Sequence, residues 1–148
     1  MKFVKITKEE ELRGIFTRKK MIEFLYEHLE QFGDSREAIS SCLDYVFSDE
    51  PGKGGFILVA VREERMAGML VMIFSGMEKY IPANFLVYLA TDSSCAPLGL
   101  GADLIEESKN YTKGDIALHV EGDNSAKKLY KHLGFTHKYY EMRYSPEK

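Results

Sequence analysis

The sequence predicts one domain of the α/β class, more narrowly α+β, in which a mixed, mostly antiparallel sheet carries helices on both faces. Its 148 residues are 45% hydrophobic and 29% charged, which is typical of a single globular domain spanning residues 1–148. Apolar residues repeat with helical spacing in the first third and with strand spacing in the middle. Two strand-like segments joined by the charged connection Arg62–Arg65 predict a hairpin, which excludes a purely doubly wound parallel sheet.

The elements are expected in the order β-α-α-β-β-β-α-β-α-β. Residues 2–7 alternate like a short strand. Residues 9–48 are helical, with apolar stripes of period 3.6 on both sides of Gly33–Ser35, which provides an N-cap for the second helix. The later elements are the strands Phe56–Val61, Met66–Phe74, Phe85–Thr91 and Ile116–Glu121, the helices Leu98–Tyr111 and Asn124–Leu133, and a last strand, Phe135–Tyr144.

Composition and charge exclude several classes of protein. The net charge of −3 and the absence of a basic cluster argue against nucleic-acid binding. The two cysteines, Cys42 and Cys95, are too few for a disulfide framework or a four-ligand zinc site, so no metal is expected. The first residues contain no secretory signal and no apolar run is long enough to cross a membrane, so we expect a cytoplasmic protein.

The first segment that indicates chemistry joins the strand Phe85–Thr91 to the following helix through Gly99-Leu100-Gly101. Glycines let such a turn direct several backbone N–H groups toward one point, and the helix N-terminus adds positive potential. A phosphate or diphosphate is the ligand this arrangement favours, although a tight turn without a ligand explains it about as well. The candidate N–H donors are those of Leu98, Gly99, Leu100, Gly101 and Ala102. The residues that follow Gly101 fit neither a P-loop nor a dinucleotide-binding turn.

The second segment runs from Ile116 to Phe135 and contains a strand, a capped helix and a helix end at Gly134. Tyr130 lies on the apolar face of that helix, so its ring should be buried and its hydroxyl should need a partner. Tyr130 is then either a core aromatic bonded to a backbone carbonyl or a residue whose hydroxyl acts in chemistry.

Together the two segments resemble the GNAT superfamily of acetyl-CoA-dependent N-acetyltransferases. The phosphate motif of that family, Arg/Gln-x-x-Gly-x-Gly/Ala, corresponds to Ala96–Gly101, with Ala96 in place of the basic or amide residue. The family pattern Ala-x-x-Leu-Tyr-x-x-x-Gly-Phe is complete, at Ala126, Leu129, Tyr130, Gly134 and Phe135. The Asn of the family is represented by Asn124, one residue closer to the Tyr than usual.

The resemblance implies a function and a set of site residues. Acetyl-CoA would insert its pantetheine arm between two splayed strands, pair with the backbone of Leu89, Ala90 and Thr91, and place its diphosphate on residues 98–102. The acetyl group would pass directly to a primary amine of a small molecule or peptide, and Tyr130 would protonate the leaving thiolate. An N–H near Leu89 would stabilise the developing oxyanion.

The base that would deprotonate the amine is left open. Relatives use a carboxylate on the strand that corresponds to Phe85–Thr91, and that strand contains none here. His119 is the first candidate because it titrates near neutrality, Glu121 is the second, and Glu78 and Glu141 are weaker ones.

Ala96 and the absent strand carboxylate also support an alternative function, a module that binds acetyl-CoA or CoA with little or no catalysis. The acyl donor could also carry a group other than acetyl. An apolar last strand would offer an edge for a homodimer.

Overall fold

The computed structural model describes residues 1–29, 33–120 and 126–146. Its centre is a single sheet of five strands in the order β1-β2-β3-β4-β5. The pairs β1–β2, β2–β3 and β3–β4 are antiparallel, whereas β5 is parallel to β4. The predicted mixed, mostly antiparallel sheet is therefore confirmed. The strands are β1 (Lys2–Ile6), β2 (Gly55–Arg62), β3 (Arg65–Phe74), β4 (Asn84–Thr91) and β5 (Ile116–Leu118).

Within the described residues, four α-helices accompany the sheet. Each of the first two is capped by a hydroxyl, since Thr17 accepts from the N–H of Lys20 and Ser35 accepts from the N–H of Ala38. The N-cap predicted within Gly33–Ser35 is therefore confirmed as Ser35. The helices are α1 (Arg18–His28), α2 (Arg36–Val46), α3 (Leu100–Ser108) and α4 (Ala126–His132). None of the helices in the described ranges is long and apolar enough to cross a membrane.

Helices pack on both faces of the sheet and enclose two apolar clusters. On one face the side chains of α1 and α2 pack against alternate residues of the strands, with Met21, Leu25 and Ile39 fully buried. On the opposite face α3 places Leu104 and Ile105 against the sheet. Each such side chain contributes about 1.5–3 kcal/mol on burial, and these contacts hold the helices on the sheet.

The predicted hairpin is confirmed and its turn is tight. Arg62 at the end of β2 pairs with Arg65 at the start of β3, which leaves Glu63 and Glu64 as a two-residue loop. Both have positive φ, 52° and 62°, as a type I′ turn requires. This turn matches the right-handed twist of the strands, although glutamate is not a residue that favours it.

The strand predicted for Ile116–Glu121 is too long, because β5 ends at Leu118 and residues 119 and 120 form no strand. Both boundaries of the third helix also differ from the sequence prediction. The third helix begins at Leu100 and not at Leu98, because Gly99 adopts the left-handed conformation and acts as the N-cap. Its predicted end is replaced by a 3-10 turn over Lys109–Tyr111. These shifts leave residues 98 and 99 in the loop, ahead of the first helical turn.

The predicted last strand, Phe135–Tyr144, is wrong, because residues 135–146 form no helix or strand. The alternation of this segment favours a strand, but a strand needs a neighbouring edge and a surface to cover. The β5 ladder ends at Leu118, and Tyr140, Met142 and Tyr144 are exposed. The homodimer expected through this segment stays a prediction.

Candidate active site

β4 is paired on both edges only in its first half. Its parallel ladder with β5 ends at the pair Leu86–Leu118, whereas its antiparallel ladder with β3 continues to Thr91. From Val87 to Thr91, β4 has no strand partner on the β5 side within the described residues. This edge can therefore form main-chain hydrogen bonds with an extended ligand, as an added strand would.

A bulge lies at the point where the two strands separate. Val71 of β3 pairs with Tyr88, and Met72 pairs with Leu86, so Val87 is an extra residue in β4. As a result Val87 and Tyr88 both face the cluster under α1 and α2, while Leu89 faces the cluster under α3. The bulge changes the direction of the backbone at the start of the open edge.

The loop after β4 is held by Asp92. Its carbonyl accepts from the N–H groups of Cys95 and Ala96, at 3.0 and 2.8 Å. Its carboxylate accepts from the hydroxyl and the N–H of Ser94, at 2.7 and 3.0 Å, and these bonds lower the pKa of Asp92. The carboxylate therefore stays ionised near neutral pH and keeps its hydrogen bonds to Ser94, which hold the loop in this conformation.

Residues 98–102 form the predicted phosphate turn, at the junction of that loop with α3. The φ of Gly99 is 86°, a conformation that favours glycine. The N–H of Leu100 donates to the carbonyl of Pro97 at 3.2 Å. The backbone N–H groups that have no acceptor in the described part of the chain are those of Leu98, Gly99, Gly101 and Ala102. They are available to an anion at a helix N-terminus.

Gly101 connects this turn to the other candidate elements. A Cβ at Gly101 would lie 3.8 Å from a methyl of Leu89 on β4 and 3.8 Å from a methyl of Leu129 on α4. The turn, the open edge and the helix that carries Tyr130 thus meet at one place. The free amides and the small residues at this junction fit the diphosphate of a CoA thioester.

Tyr130 lies on α4, and Gly134, two residues beyond the end of that helix, has a φ of 99°. Its ring is half-buried and packs edge-on against Phe135, with ring centroids 5.9 Å apart. Burial raises the pKa of Tyr130, so the phenol keeps its proton at neutral pH. No hydrogen bond of its hydroxyl is found within the described ranges, so both interpretations of Tyr130 stay predictions.

His119 follows β5 directly, at the point where β5 and β4 separate. Its ring lies edge-on to Phe85 with centroids 4.8 Å apart, and its Nδ1 is 3.7 Å from Oε1 of Glu141. The side chain is 56% exposed. Glu141 also accepts two hydrogen bonds from Arg143. The structure thus brings together two base candidates, His119 and Glu141.

The other predicted site residues divide into three groups. Glu121 and Asn124 lie outside the described residues. Leu89, Ala90 and Thr91 form the C-terminal part of the open β4 edge. Glu78 is exposed in the connection between β3 and β4, and nothing in the described contacts joins it to the other candidates.

Comparison with solved structures identifies the fold. A GNAT-family acetyltransferase from Streptococcus pneumoniae superposes with a TM-score of 0.66 at 15% identity, over 99% of this chain and 98% of that one. An aminoglycoside 6'-N-acetyltransferase from Acinetobacter haemolyticus gives 0.66 at 15% identity, over 100% and 99%. An aminoglycoside acetyltransferase from an uncultured soil metagenomic sample, in complex with sisomicin, gives 0.64 at 16% identity, over 99% and 96%.

The chain has the GNAT fold. The likeness extends over the whole chain, and at these identities it is one of fold. No family model and no curated protein matches the sequence. The GNAT fold confirms the architecture that the resemblance of the two sequence segments implied.

One pair of residues beside the open edge of this GNAT fold was not predicted from the sequence. The Tyr88 hydroxyl donates to Oδ2 of Asp34 at 2.6 Å, and joins β4 to the loop before α2. Burial and this bond to a carboxylate both raise the pKa of Tyr88. A tyrosine between the aliphatic residues Val87 and Leu89 was the available signal, but its partner could not be found from sequence spacing.

Proposed function

We propose that this protein is an acetyl-CoA-dependent N-acetyltransferase that moves an acetyl group directly to a primary amine of a small molecule or peptide. The observation that carries the proposal is the adjacency of the open β4 edge to four free backbone amides, those of Leu98, Gly99, Gly101 and Ala102. Neighbours of this fold that act on aminoglycosides support an amine acceptor. No metal takes part in the proposed reaction.

Two groups of residues would hold the donor. The N–H of Leu100, one of the predicted donors, already donates to the carbonyl of Pro97. The diphosphate would therefore be bound by the other amides at the N-terminus of α3, those of Leu98, Gly99, Gly101 and Ala102. The backbone of Leu89, Ala90 and Thr91 would pair with the pantetheine arm along the open edge. Acetyl-CoA supplies an activated acetyl thioester. Asn124 is a further proposed donor contact from the family resemblance.

Tyr130 would give a proton to the departing thiolate. Its raised pKa keeps the phenol protonated at neutral pH. Tyr130 also follows Leu129, the residue through which α4 contacts the phosphate turn. The N–H near Leu89, just after the bulge, is the candidate donor to the negative charge that develops on the acyl oxygen.

A base or a desolvated pocket must supply a neutral amine. A lysine-like amine with a pKa of about 10.4 is mostly protonated at pH 7, and its neutral form costs about 4.6 kcal/mol. His119 and Glu121 are the proposed bases. The position of His119 where β4 and β5 separate supports it, and the carboxylate of Glu141, 3.7 Å from its Nδ1, would orient the ring.

Calorimetry and an activity assay test the proposal together. Acetyl-CoA binding is measured by isothermal titration, and CoA release is measured with a thiol reagent over a panel of amines. We expect saturable binding and turnover on at least one amine. Binding without turnover on any amine would favour the alternative function, a CoA-binding module, and absence of binding would contradict both.

Gly101 offers a matched pair of variants for this test. Gly101→Ala adds only a Cβ, whose nearest neighbours would be ordinary contacts at 3.8 Å. Gly101→Asp adds a negative charge beside the proposed diphosphate site, and at about 5 Å an effective dielectric constant near 40 gives about 1.7 kcal/mol of repulsion. We expect Gly101→Ala to retain acetyl-CoA affinity and Gly101→Asp to lose about tenfold or more. Equal affinity in both variants would place the donor elsewhere.

A further inference from the structure

The Asp34–Tyr88 pair lies on the side of β4 away from the phosphate turn. Tyr88 is 7% exposed, whereas Asp34 is exposed in the loop that precedes α2. The hydrogen bond of 2.6 Å between them fixes one oxygen of an exposed carboxylate at a definite point on the sheet. The Asp34 side chain therefore has a defined orientation, which an aspartate without such a bond in a surface loop would lack.

Tyr88 of this pair directly precedes Leu89 on the open part of β4, and the N–H near Leu89 is the proposed donor to the acyl oxygen. Tyr88 lies two residues beyond Leu86, the last β4 residue that pairs with β5. Leu89 faces α3 and the phosphate turn, while Tyr88 and Ala90 face α1 and α2. A donor that approaches from the α3 side leaves the α1–α2 side for the acceptor, so the carboxylate of Asp34 lies on the acceptor side.

The charge of Asp34 is not neutralised by a neighbour. No Lys, Arg or His side chain lies within 4 Å of its carboxylate in the described part of the chain, and its Oδ1 has no hydrogen bond there. Another carboxylate on these helices, Glu23, is paired with Arg36 at 2.6 Å. The charge of Asp34 contributes to raising the pKa of Cys42 on α2 to about 11, after the larger effect of burial.

An oriented, uncompensated carboxylate suits an ammonium group that does not react. The attacking amine must be neutral, and a carboxylate bound to it would favour its protonated form and slow attack. A second ammonium on the same molecule has no such requirement and forms a charge-assisted hydrogen bond with Oδ1.

We propose that Asp34 is the specificity-determining residue for the acceptor, and that it binds the non-reacting ammonium of an amine with at least two cationic groups. Tyr88 is a positioning residue that orients the carboxylate. This inference rests on the proposed function and narrows its acceptor from primary amines in general to diamines and polyamines.

The test compares diaminobutane with aminobutane, which differ by the second amino group, and measures kcat/KM for each with acetyl-CoA. Asp34→Asn should lower kcat/KM for diaminobutane about 10- to 100-fold, the range for a hydrogen bond to a charged group, and change the value for aminobutane less than about twofold. Tyr88→Phe should lower the diaminobutane value in the same direction but less. Asp49→Asn, which removes one charge from a carboxylate that is 95% exposed, should change neither.

An equal loss on both amines in Asp34→Asn, or no loss on either, would overturn the proposal. Calorimetric titration of diaminobutane into the protein–CoA complex gives a second readout that does not need turnover. We expect binding by the wild-type protein and by Asp49→Asn, and its loss in Asp34→Asn; unchanged binding in Asp34→Asn would contradict the assignment. Titration of CoA alone reports on the donor site, so failure of the proposed function is seen separately.

Discussion

Replacement of Tyr130 by Phe removes one hydroxyl and tests whether that hydroxyl acts in the reaction. The ring would keep its packing against Phe135. The hydroxyl makes no hydrogen bond within the described residues, so no protein partner there loses a bond. We therefore expect the free energy of unfolding of Tyr130→Phe to stay within about 0.5 kcal/mol of the wild-type value.

The expected effect on turnover is much larger. General acid catalysis contributes about 10²- to 10⁴-fold, so the variant should lose at least about 100-fold in kcat, or about 2.7 kcal/mol of transition-state stabilisation. The sign of the pH dependence follows from the raised pKa of Tyr130. The protonated phenol is present at neutral pH, and its contribution is lost only as the pH rises through a value above 10.

The assay measures CoA release between pH 6 and 9, with acetyl-CoA saturating and the best amine of the panel. Tyr111→Phe is the matched control: it removes a hydroxyl that donates to Glu107 at 3.0 Å on the exposed end of α3, and it should leave kcat unchanged. A Tyr130→Phe protein with wild-type kcat across this range would refute the role of general acid, whatever its stability.

Two further predictions concern the scaffold around the site. A Cβ at Gly68 would lie 2.9 Å from methyls of Leu100 and Leu104, so Gly68→Val should lower the free energy of unfolding by about 1–3 kcal/mol. It should also weaken acetyl-CoA binding, because it displaces the start of α3. Denaturant unfolding measures the first effect and calorimetry the second, and an unchanged affinity would mean that α3 is not part of the donor site. Glu64 has a φ of 62° in the hairpin turn, a conformation that favours glycine. Glu64→Gly should therefore raise the free energy of unfolding by about 0.5 kcal/mol in the same denaturant assay. A lower free energy of unfolding would contradict the turn assigned here.

The sequence predicted the elements whose pattern is local. The helical stripes, the hairpin at Arg62–Arg65 and the turn around Gly99 all depend on residues within a few positions of each other. The position of Tyr130 on the apolar face of α4 follows from the same periodicity. Most of the sheet and the two candidate donor segments could therefore be predicted.

The remaining features depend on contacts between distant residues. The bulge at Val87 exists because β4 must pair with β3 on both sides of it, and a single strand carries no sign of that register. The bond between Asp34 and Tyr88 joins residues 54 positions apart. The segment Phe135–Tyr144 has the alternation of a strand, but residues 135–146 pair with no strand of the described sheet. A pattern within a segment cannot show whether it pairs.

The most direct test of the central claim is a nuclear magnetic resonance titration with CoA that follows individual backbone amides. We expect the amide proton resonances of four residues to move downfield as these amides donate to the diphosphate: Leu98, Gly99, Gly101 and Ala102. The amide resonances of Leu89 to Thr91 should shift over the same CoA concentrations. If these amide resonances stayed unchanged while CoA saturated another surface, the proposed diphosphate site would be contradicted.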